Sequence, residues 1–171
     1  MIKEILWFPS NKCFIDGNWI EPQNKKYIQL YNPSNGEFLT EISRGTKADI
    51  NLAVRAAEKS IYSNWGKAEA VDRGRILRKM SNLILKNIDK LALIESIDVG
   101  KPLDQSKSDA IALARYLEFY GGASDKIHGT TIPFKKDFLV YSIREPLGVT
   151  AHIIPWNYPM QIIGRSIGAS L

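Results

Sequence analysis

Residues 148–171 read GVTAHIIPWNYPMQIIGRSIGASL, and this stretch decides the class of fold. Residues 148–155 form a short, nearly continuous apolar run, which is typical of a strand buried on both faces of a parallel sheet. Pro155 cannot donate to a strand ladder, so the predicted strand ends there. The apolar and small residues that follow begin a helix without a polar face, of the kind that other protein usually covers. The pattern predicts an α/β fold.

A single parallel strand cannot make a sheet, and a crossover helix needs a second strand to pack beside. The chain reaches Leu171 inside the predicted helix, without a C-cap or a following strand. We therefore expect the 171 residues to hold only the first part of an α/β domain.

Turn residues and alternating apolar residues dominate the first part of the chain. The pair Asp16-Gly17 lies inside FIDGNWI, which is the strongest short signal for a β hairpin. Asn-Pro and Asn-Gly pairs at 32–36 separate YIQLY from FLTEI, and both segments alternate like half-buried strands. We predict a small antiparallel region at the N-terminus.

Helical spacing of apolar residues then predicts four helices. The first begins after Thr46, an N-cap with Asp49 three residues on, and ends near Trp65-Gly66. The others are predicted at 69–87, 91–99 and 106–127, and the third of the four is ended by Gly100-Lys101-Pro102. We expect the second to bury a face made of Ile76, Leu77, Met80, Leu83 and Ile84, and the fourth one made of Ala110, Leu113, Ala114, Leu117 and Tyr120. A strand is predicted at 138–145, FLVYSIRE.

Composition narrows the function classes. Hydrophobic residues make up 44% of the chain, enough for a sizeable core, and the net charge is +5. The 23 Lys and Arg are scattered, so we expect no nucleic-acid partner; binding driven by this charge would show a steep dependence on salt. Cys13 is the only Cys, and no apolar run approaches the roughly 18 residues of a membrane span. We expect a soluble, cytoplasmic protein without a membrane partner.

Several segments, taken together, are specific to one family. The chain resembles the N-terminal third of the NAD(P)-dependent aldehyde dehydrogenases over nearly its whole length. The segments that carry the resemblance are FIDGNWI, NPSNGE, RGRILRKM, DVGKPL, DKIHGTTIP, REPLGV and IIPWNYP. The resemblance implies N-terminal strands and helices of the nucleotide-binding domain at 1–127, a β arm of the oligomerisation domain at 128–146, and the first strand and helix of a Rossmann-like core at 147–171.

The resemblance also assigns roles around the Pro-Trp-Asn turn. Asn157 matches the residue whose amide donates to the oxyanion formed when a cysteine thiolate attacks the aldehyde, and a neutral donor suits that role. Four residues match positions that line the NAD or NADP cofactor beside the nicotinamide ribose: Ile153, Ile154, Pro155 and Trp156. The competing interpretation is that the turn only ends a buried strand and starts a helix.

Two positions depart from the family pattern. The family helix often carries Trp and then Lys at the eighth and ninth residues after the Asn, where this chain has Arg165 and Ser166. The role of that Lys, a proton relay or a cofactor contact, is therefore in doubt here. Members of the succinic-semialdehyde type place an Arg at this point to meet the substrate carboxylate, so Arg165 suggests an acidic aldehyde. The alternative is an Arg that pairs with a neighbouring carboxylate. Tyr158 matches the substrate tunnel, or else belongs to the core.

The other candidate residues carry weaker signals. Cys13 does not match the family nucleophile and is interpreted as a structural thiol. His128 and His152 lack metal-ligand spacing, and we expect structural roles for both. Asp98 matches a position that, in betaine-aldehyde-type members, holds a monovalent cation together with backbone carbonyls near Leu30 and Tyr31.

In the family, the nucleophilic Cys, the general-base Glu, the Lys that reaches the adenosine ribose and the phosphate loop all lie further along than residue 171. Without them the chain by itself should not oxidise aldehydes. One hypothesis is therefore an N-terminal portion of an aldehyde dehydrogenase, inert alone, with an aldehyde as substrate and a homo-oligomer as the assembly. The other is an interaction module whose 128–144 arm docks on a related full-length subunit by strand addition. The sequence does not distinguish NAD from NADP.

Overall fold

The computed structural model describes residues 2–171, apart from the side chain of Lys3, as a mixture of short antiparallel hairpins and longer helices. In chain order the elements are α1 Ile2–Ile5, β1 Cys13–Ile15, β2 Asn18–Ile20, β3 Tyr27–Tyr31, β4 Phe38–Ser43, α2 Lys47–Ile61, α3 Asn64–Lys67, α4 Ala70–Lys86, α5 Ile88–Val99, α6 Leu103–Ala123, β5 Thr131–Ile132, β6 Val140–Tyr141 and α7 Pro159–Ser170. The strands pair as β1 with β2, β3 with β4 and β5 with β6, all antiparallel.

The two N-terminal hairpins form where the turn residues predict them. Asp16 and Gly17 both adopt positive φ, 51° and 74°, which the tight turn between β1 and β2 requires. Gly36 has a φ of 74° in the turn between β3 and β4, and this pair carries an irregularity at Leu30 and Tyr31. Both predicted strand pairs are confirmed. Their signals could be found in the sequence because each depends on a few neighbouring residues.

The N-terminus of α2 is closed by reciprocal contacts between Thr46 and Asp49, as the sequence predicts. The backbone N–H and the hydroxyl of Thr46 both donate to Asp49 Oδ2 at 2.7 Å, and the backbone N–H of Gln23 donates to Asp49 Oδ1 at 3.0 Å. Asp49 is buried, so one carboxylate joins the start of α2 to the segment that precedes β3.

These contacts make part of the stability depend on acid. Hydrogen bonds from the Thr46 side chain and backbone hold the pKa of Asp49 below its ordinary value of 3.8. Because the folded pKa is lowered, the stabilisation is complete above pH 3.8 and is lost as the pH falls through the folded pKa. We expect Asp49→Asn to lower the urea midpoint at neutral pH, and the gap from the wild type to close below pH 3.8. Asp137→Asn is the control, because the Asp137 carboxylate is exposed and makes no hydrogen bond to the described residues. A gap in urea midpoint that does not depend on pH would contradict the assignment.

The core lies between α4 and α6, where the helices approach closely. A methyl group at Gly74 would lie 2.3 Å from the carbonyl oxygen of Gly121, so the backbones touch there. Leu77 and Leu117 fill the neighbouring layer and are 1% and 2% exposed. The predicted burial of Ala110, Ala114 and Leu117 on α6 is confirmed.

The predicted buried face of α4 is wrong in part. Ile76, Met80 and Leu83 are exposed, whereas the side that contains Leu77, Gly74 and Ser81 is buried. Apolar spacing alone favours the larger side chains, but the small residues determine which side another helix can approach. The exposed set forms a second apolar stripe on the same helix.

Helix boundaries differ modestly from the predicted ones. The helix predicted at 91–99 begins at Ile88, and the one predicted at 106–127 spans Leu103–Ala123. Pro102 is the N-cap of α6, and its fixed φ allows the helix to start at the next residue. Gly121 and Gly122 both lie inside α6. The close approach of α4 requires a residue without a Cβ at position 121.

The two strands predicted at 138–145 and 148–155 are largely wrong. Only Val140–Tyr141 of the strand predicted at 138–145 forms, paired with Thr131–Ile132. The strand predicted at 148–155 is not formed, and its residues are mostly exposed rather than buried. A parallel strand exists only through hydrogen bonds to neighbours, and the described residues place no strand beside this segment.

The predicted helix after the Pro-Trp-Asn turn does form and lies against α6. A methyl group at Gly164 would meet Leu113 and Tyr116 at 3.0–3.2 Å, so α7 rests closely on α6. Gly168 makes the same kind of approach to Tyr120. No helix within residues 2–171 is both long and apolar enough to cross a bilayer.

Candidate functional site

The Pro-Trp-Asn turn stands immediately before α7. Pro159 is the first helical residue, a position that its fixed φ and missing N–H suit, and Tyr158 is the N-cap. The first helical hydrogen bond runs from the N–H of Ile162 to the carbonyl of Tyr158 at 3.0 Å. Asn157 lies one residue earlier, exposed, and its amide has no hydrogen-bond partner in the described part of the chain. The amide is thus free to donate to another molecule.

An apolar strip precedes this amide. Ile153 is 96% exposed and Trp156 is 77% exposed, while Ile154 is half-buried and Pro155 is exposed. Ile153 and Trp156 thus present apolar surface beside the unpaired amide of Asn157. They can form one wall against a flat, partly apolar molecule.

A buried charged cluster lies behind the turn. Lys101 Nζ donates to Glu95 Oε1 and to Asp109 Oδ2, both at 2.7 Å. The side chain of Lys101 is 11% exposed, that of Glu95 3% and that of Asp109 0%. Two carboxylates therefore share one ammonium group with almost no access to water.

The pKa values of the three members of the cluster shift for different reasons. Burial raises the pKa of Glu95, and the hydrogen bond from Lys101 offsets only part of that effect. Burial acts in the same direction on Asp109, but hydrogen bonds from Lys101, Gln161 and Gln105 together lower its pKa. Burial acts to lower the pKa of Lys101, yet its bonds to Asp109 and Glu95 raise it. Asp109 is thus the firmly ionised carboxylate of the cluster.

The cluster reaches the turn through two contacts. Gln161, in the first turn of α7, donates from Nε2 to Asp109 Oδ1 at 2.6 Å. Lys101 Nζ lies 4.2 Å from the centroid of the Tyr158 ring, a cation–π geometry. The loop between α5 and α6 is thereby tied to the residues that flank Asn157.

Arg165 projects from α7 toward α6 and contacts two uncharged side chains. Its Nε donates to the Tyr116 hydroxyl at 2.8 Å and its Nη2 to Gln161 Oε1 at 3.1 Å, and its guanidinium carbon lies 5.3 Å from the centroid of the Tyr116 ring. No carboxylate pairs with it among the residues described here. The choice between an acidic substrate and a structural ion pair for Arg165 stays a prediction.

His152 contacts hydroxyl groups rather than a metal site. Its Nδ1 bonds Ser166, and its Nε2 lies 3.0 Å from Thr150 Oγ1 and 3.1 Å from Ser170 Oγ. Ser166 occupies the position where the family often has Lys, so here that position is joined to an imidazole. Two of these contacts join His152 to α7, and a structural role for His152 stays a prediction.

The remaining candidates lie apart from the turn. Asp98 is exposed near the end of α5. Gly100, with a φ of 76°, would bring a Cβ within 2.7 Å of Pro33, which places this helix end beside the turn after β3. No group of three or more metal-ligating side chains occurs within the described residues, and a cation at Asp98 stays a prediction. Cys13 is half-buried in β1, and His128 is exposed.

Sequence reasoning missed Lys101, Asp109 and Gln161. The motif DVGKPL contains Lys101, but by itself the pattern indicates only a helix end and a family resemblance. An available signal was a cation between acidic residues six positions before it and eight positions after it, at Glu95 and Asp109. Tyr116, which orients Arg165, gave no such signal because an aromatic residue in a helix is usually core.

Comparison with known proteins identifies the family. The sequence profile of the Aldehyde dehydrogenase family matches residues 19–171. The hydroxyisobutyraldehyde dehydrogenase of Mycolicibacterium austroafricanum is 39% identical over 158 residues, which are 92% of this chain and 31% of that protein. The mitochondrial aldehyde dehydrogenase of Rattus norvegicus is 38% identical over 164 residues, 94% of this chain and 32% of the relative.

Solved structures show the same relation. A Burkholderia cenocepacia protein assigned to the aldehyde dehydrogenases superposes with a TM-score of 0.91 at 50% identity, over 93% of this chain and 34% of that one. The betaine aldehyde dehydrogenase of Staphylococcus aureus, solved as a double mutant with NAD+, gives a TM-score of 0.91 at 32% identity, over 97% and 34%.

The chain belongs to the aldehyde dehydrogenase family. It spans about a third of the length of the curated relatives it matches. The mixed helix-and-sheet fold is a partial aldehyde dehydrogenase fold, as the sequence predicts. The predicted domain limits and the roles of the individual site residues stay predictions.

Proposed function

We propose that this chain supplies the oxyanion donor, one cofactor wall and part of the substrate site of an enzyme that oxidises an aldehyde to a carboxylic acid with NAD or NADP. The observation that carries the proposal is the unpaired amide of Asn157 on a turn between an exposed apolar strip and α7. Membership of the aldehyde dehydrogenase family supports it. The enzyme is proposed to act as a homo-oligomer.

The residues of the chain fit the proposed chemistry. The amide N–H of Asn157 donates to the aldehyde oxygen as negative charge develops there, and a neutral donor neither attacks the substrate nor takes its proton. Ile153 and Trp156 offer exposed apolar surface against the cofactor, and this fits a wall for a flat ring. When bound, NAD(P) accepts a hydride from the substrate carbon. Flanking Pro155 and Pro159 restrict the backbone on either side of the amide.

The 171-residue chain by itself is proposed to be inactive. Its only Cys, Cys13, lies in the β1–β2 hairpin, and its pattern does not match the family nucleophile. Without an activated nucleophile the oxyanion does not form, so the amide donor of Asn157 has nothing to stabilise. A cytosolic location is also part of the proposal. It is supported by the single Cys, although relatives include mitochondrial enzymes.

A fusion tests the proposal. Residues 1–171 would replace the matching third of the Mycolicibacterium enzyme, and NADH formation from an aldehyde would be recorded for the chain alone and for the fusion. We expect no activity from the chain and turnover from the fusion. Activity from the chain alone, or a folded fusion that binds NAD+ but stays inert, would contradict the assignment.

Arg165 leads to a prediction about the substrate. Because no carboxylate of the described chain neutralises its guanidinium, Arg165 is available to an acidic aldehyde. A charge-assisted hydrogen bond is worth about 1.5–3 kcal/mol, so Arg165→Ala in the fusion should lower kcat/KM for a carboxylate-bearing aldehyde by roughly 10–100-fold. Butanal should be much less affected. Arg115→Ala, an exposed Arg of α6, is the control, and an unchanged preference for acidic over neutral aldehydes would remove the hypothesis.

A second candidate function is docking on a related subunit. The β5–β6 hairpin supports it, because Phe134, Phe138, Leu139 and Tyr141 around this two-stranded ribbon are all more than half exposed. Strand addition to such an edge would bury these side chains. Mixing the chain with a full-length aldehyde dehydrogenase and following co-migration and activity tests it; separate migration with unchanged activity argues against docking.

A further inference from the structure

Little in this chain holds the Pro-Trp-Asn turn in place except contacts at its two ends. The side chains of Trp156 and Asn157 make no hydrogen bond to the other described residues, and Pro155 has no N–H to donate. On the N-terminal side the nearest tie is His152, through Ser166 and its other hydroxyl neighbours. On the C-terminal side the ties are the ring of Tyr158 and the amide of Gln161. The orientation of Asn157 therefore depends on its neighbours.

Both C-terminal ties end on the same buried cluster. Asp109 accepts from Gln161 with one carboxylate oxygen and from Lys101 with the other, at 2.6 and 2.7 Å. Lys101 in turn faces the Tyr158 ring. We infer that the cluster of Glu95, Lys101 and Asp109 positions Asn157, by fixing the residues directly after it; this inference rests on the proposed function of Asn157.

The charges of the cluster favour positioning over simple stabilisation. A buried ion pair seldom stabilises a fold more than an apolar set of the same volume, and here two carboxylates share one cation. Glu95 Oε2 is buried without any hydrogen-bond partner in the part of the chain described, which adds a desolvation cost. Directional bonds, unlike apolar contacts, fix the rotation of α7 relative to the loop after α5.

The strongest competing role for the cluster is a purely structural link between α5 and α6. Glu95 and Lys101 lie on and after α5, and Asp109 lies on α6, so the cluster joins these helices in any case. Gln105 separates the two roles. It donates from Nε2 to the same Asp109 Oδ1 at 2.9 Å, but it lies on α6 itself, one turn earlier. Gln105 and Gln161 thus make the same bond to the same atom from different helices.

The matched variants Gln161→Leu and Gln105→Leu of the 171-residue chain test the inference without any activity measurement. The readouts are amide hydrogen exchange at Ile162, whose N–H makes the first bond of α7, and the heteronuclear NOE of the Asn157 side-chain NH2 group. We expect Gln161→Leu to speed exchange at Ile162 at least tenfold and to lower the NOE. Gln105→Leu should change the exchange rate less than twofold. Equal effects of the two variants would mean that the cluster only links α5 and α6, and this outcome would overturn the inference. No effect of Gln161→Leu would overturn it as well.

The lysine contact has its own pair of variants. Tyr158→Phe keeps an aromatic face under Lys101 Nζ, and Tyr158→Leu removes it. We expect the NOE of Asn157 to be kept by Phe and lowered by Leu. A similar fall in both variants, or in neither, would contradict a role for Lys101. Because these signals come from the chain alone, they stand or fall independently of whether the fusion oxidises aldehydes.

Discussion

Replacing Asn157 by Ala in the active fusion is expected to lower kcat by about 100- to 1000-fold, with little change in KM. The reason is that the amide donates to an oxygen whose charge grows only as the reaction proceeds. Removal of one such preorganised donor costs about 2.7–4 kcal/mol of transition-state stabilisation. Because the amide is exposed and bonds no described residue, its loss removes no internal contact and the fold should be unaffected.

Steady-state kinetics of the fusion with a neutral aldehyde would measure this effect. Asn82→Ala is the matched control, since Asn82 is an exposed residue of α4 whose side chain makes no hydrogen bond to the described residues. Asn157→Asp should be at least as impaired as Asn157→Ala, because a carboxylate repels the developing oxyanion. A rise in KM with unchanged kcat in Asn157→Ala would instead assign Asn157 to uniform substrate binding, and wild-type kinetics would remove it from the site.

Features that depend on a few neighbouring residues follow from the sequence. Asp16-Gly17 specifies its turn because both positions need positive φ. Thr46 and Asp49 specify the start of α2 because the two partners are three residues apart and close on each other. Pro159 likewise begins α7 where the pattern predicts a helix. In each case the physical cause lies within one turn of chain.

Features that depend on distant partners do not follow. The segment 148–155 is apolar enough for a buried strand, but strand formation requires neighbours that the sequence pattern cannot supply. Likewise, apolar spacing on α4 gives two apolar sides, and only the approach of α6 decides between them.

The candidate site divides in the same way. Asn157 and its flanking residues were found through a contiguous motif. The cluster behind them was not, because Glu95, Lys101, Asp109 and Gln161 come from three helices and a loop. Only the folded chain shows that Lys101 and Gln161 donate to the same carboxylate, that of Asp109.

The packing of α4 on α6 leads to the second large effect. Gly74→Ala should lower the free energy of unfolding by roughly 2–3 kcal/mol, which corresponds to a fall in Tm of about 5–10 °C for a chain of this size. The new Cβ would lie 2.3 Å from the carbonyl oxygen of Gly121 and 2.4 Å from Ser124 Oγ. Ser124 can rotate away, but the Gly121 carbonyl belongs to the α6 backbone, so the two helices must separate. Separation loosens the layer that contains Leu77 and Leu117.

Gly122→Ala is the matched control, because a Cβ at Gly122 meets nothing within 4 Å and the residue is exposed on α6, next to Gly121. Its expected effect is a small gain, about 0.5 kcal/mol, since Ala favours a helix more than Gly does. The opposite signs of the two changes separate helix propensity from helix packing, and urea titration of both variants would measure them. A stabilising Gly74→Ala would mean that α4 and α6 do not approach as closely as described, and α6 would then no longer be a fixed support for α7 and the turn before it.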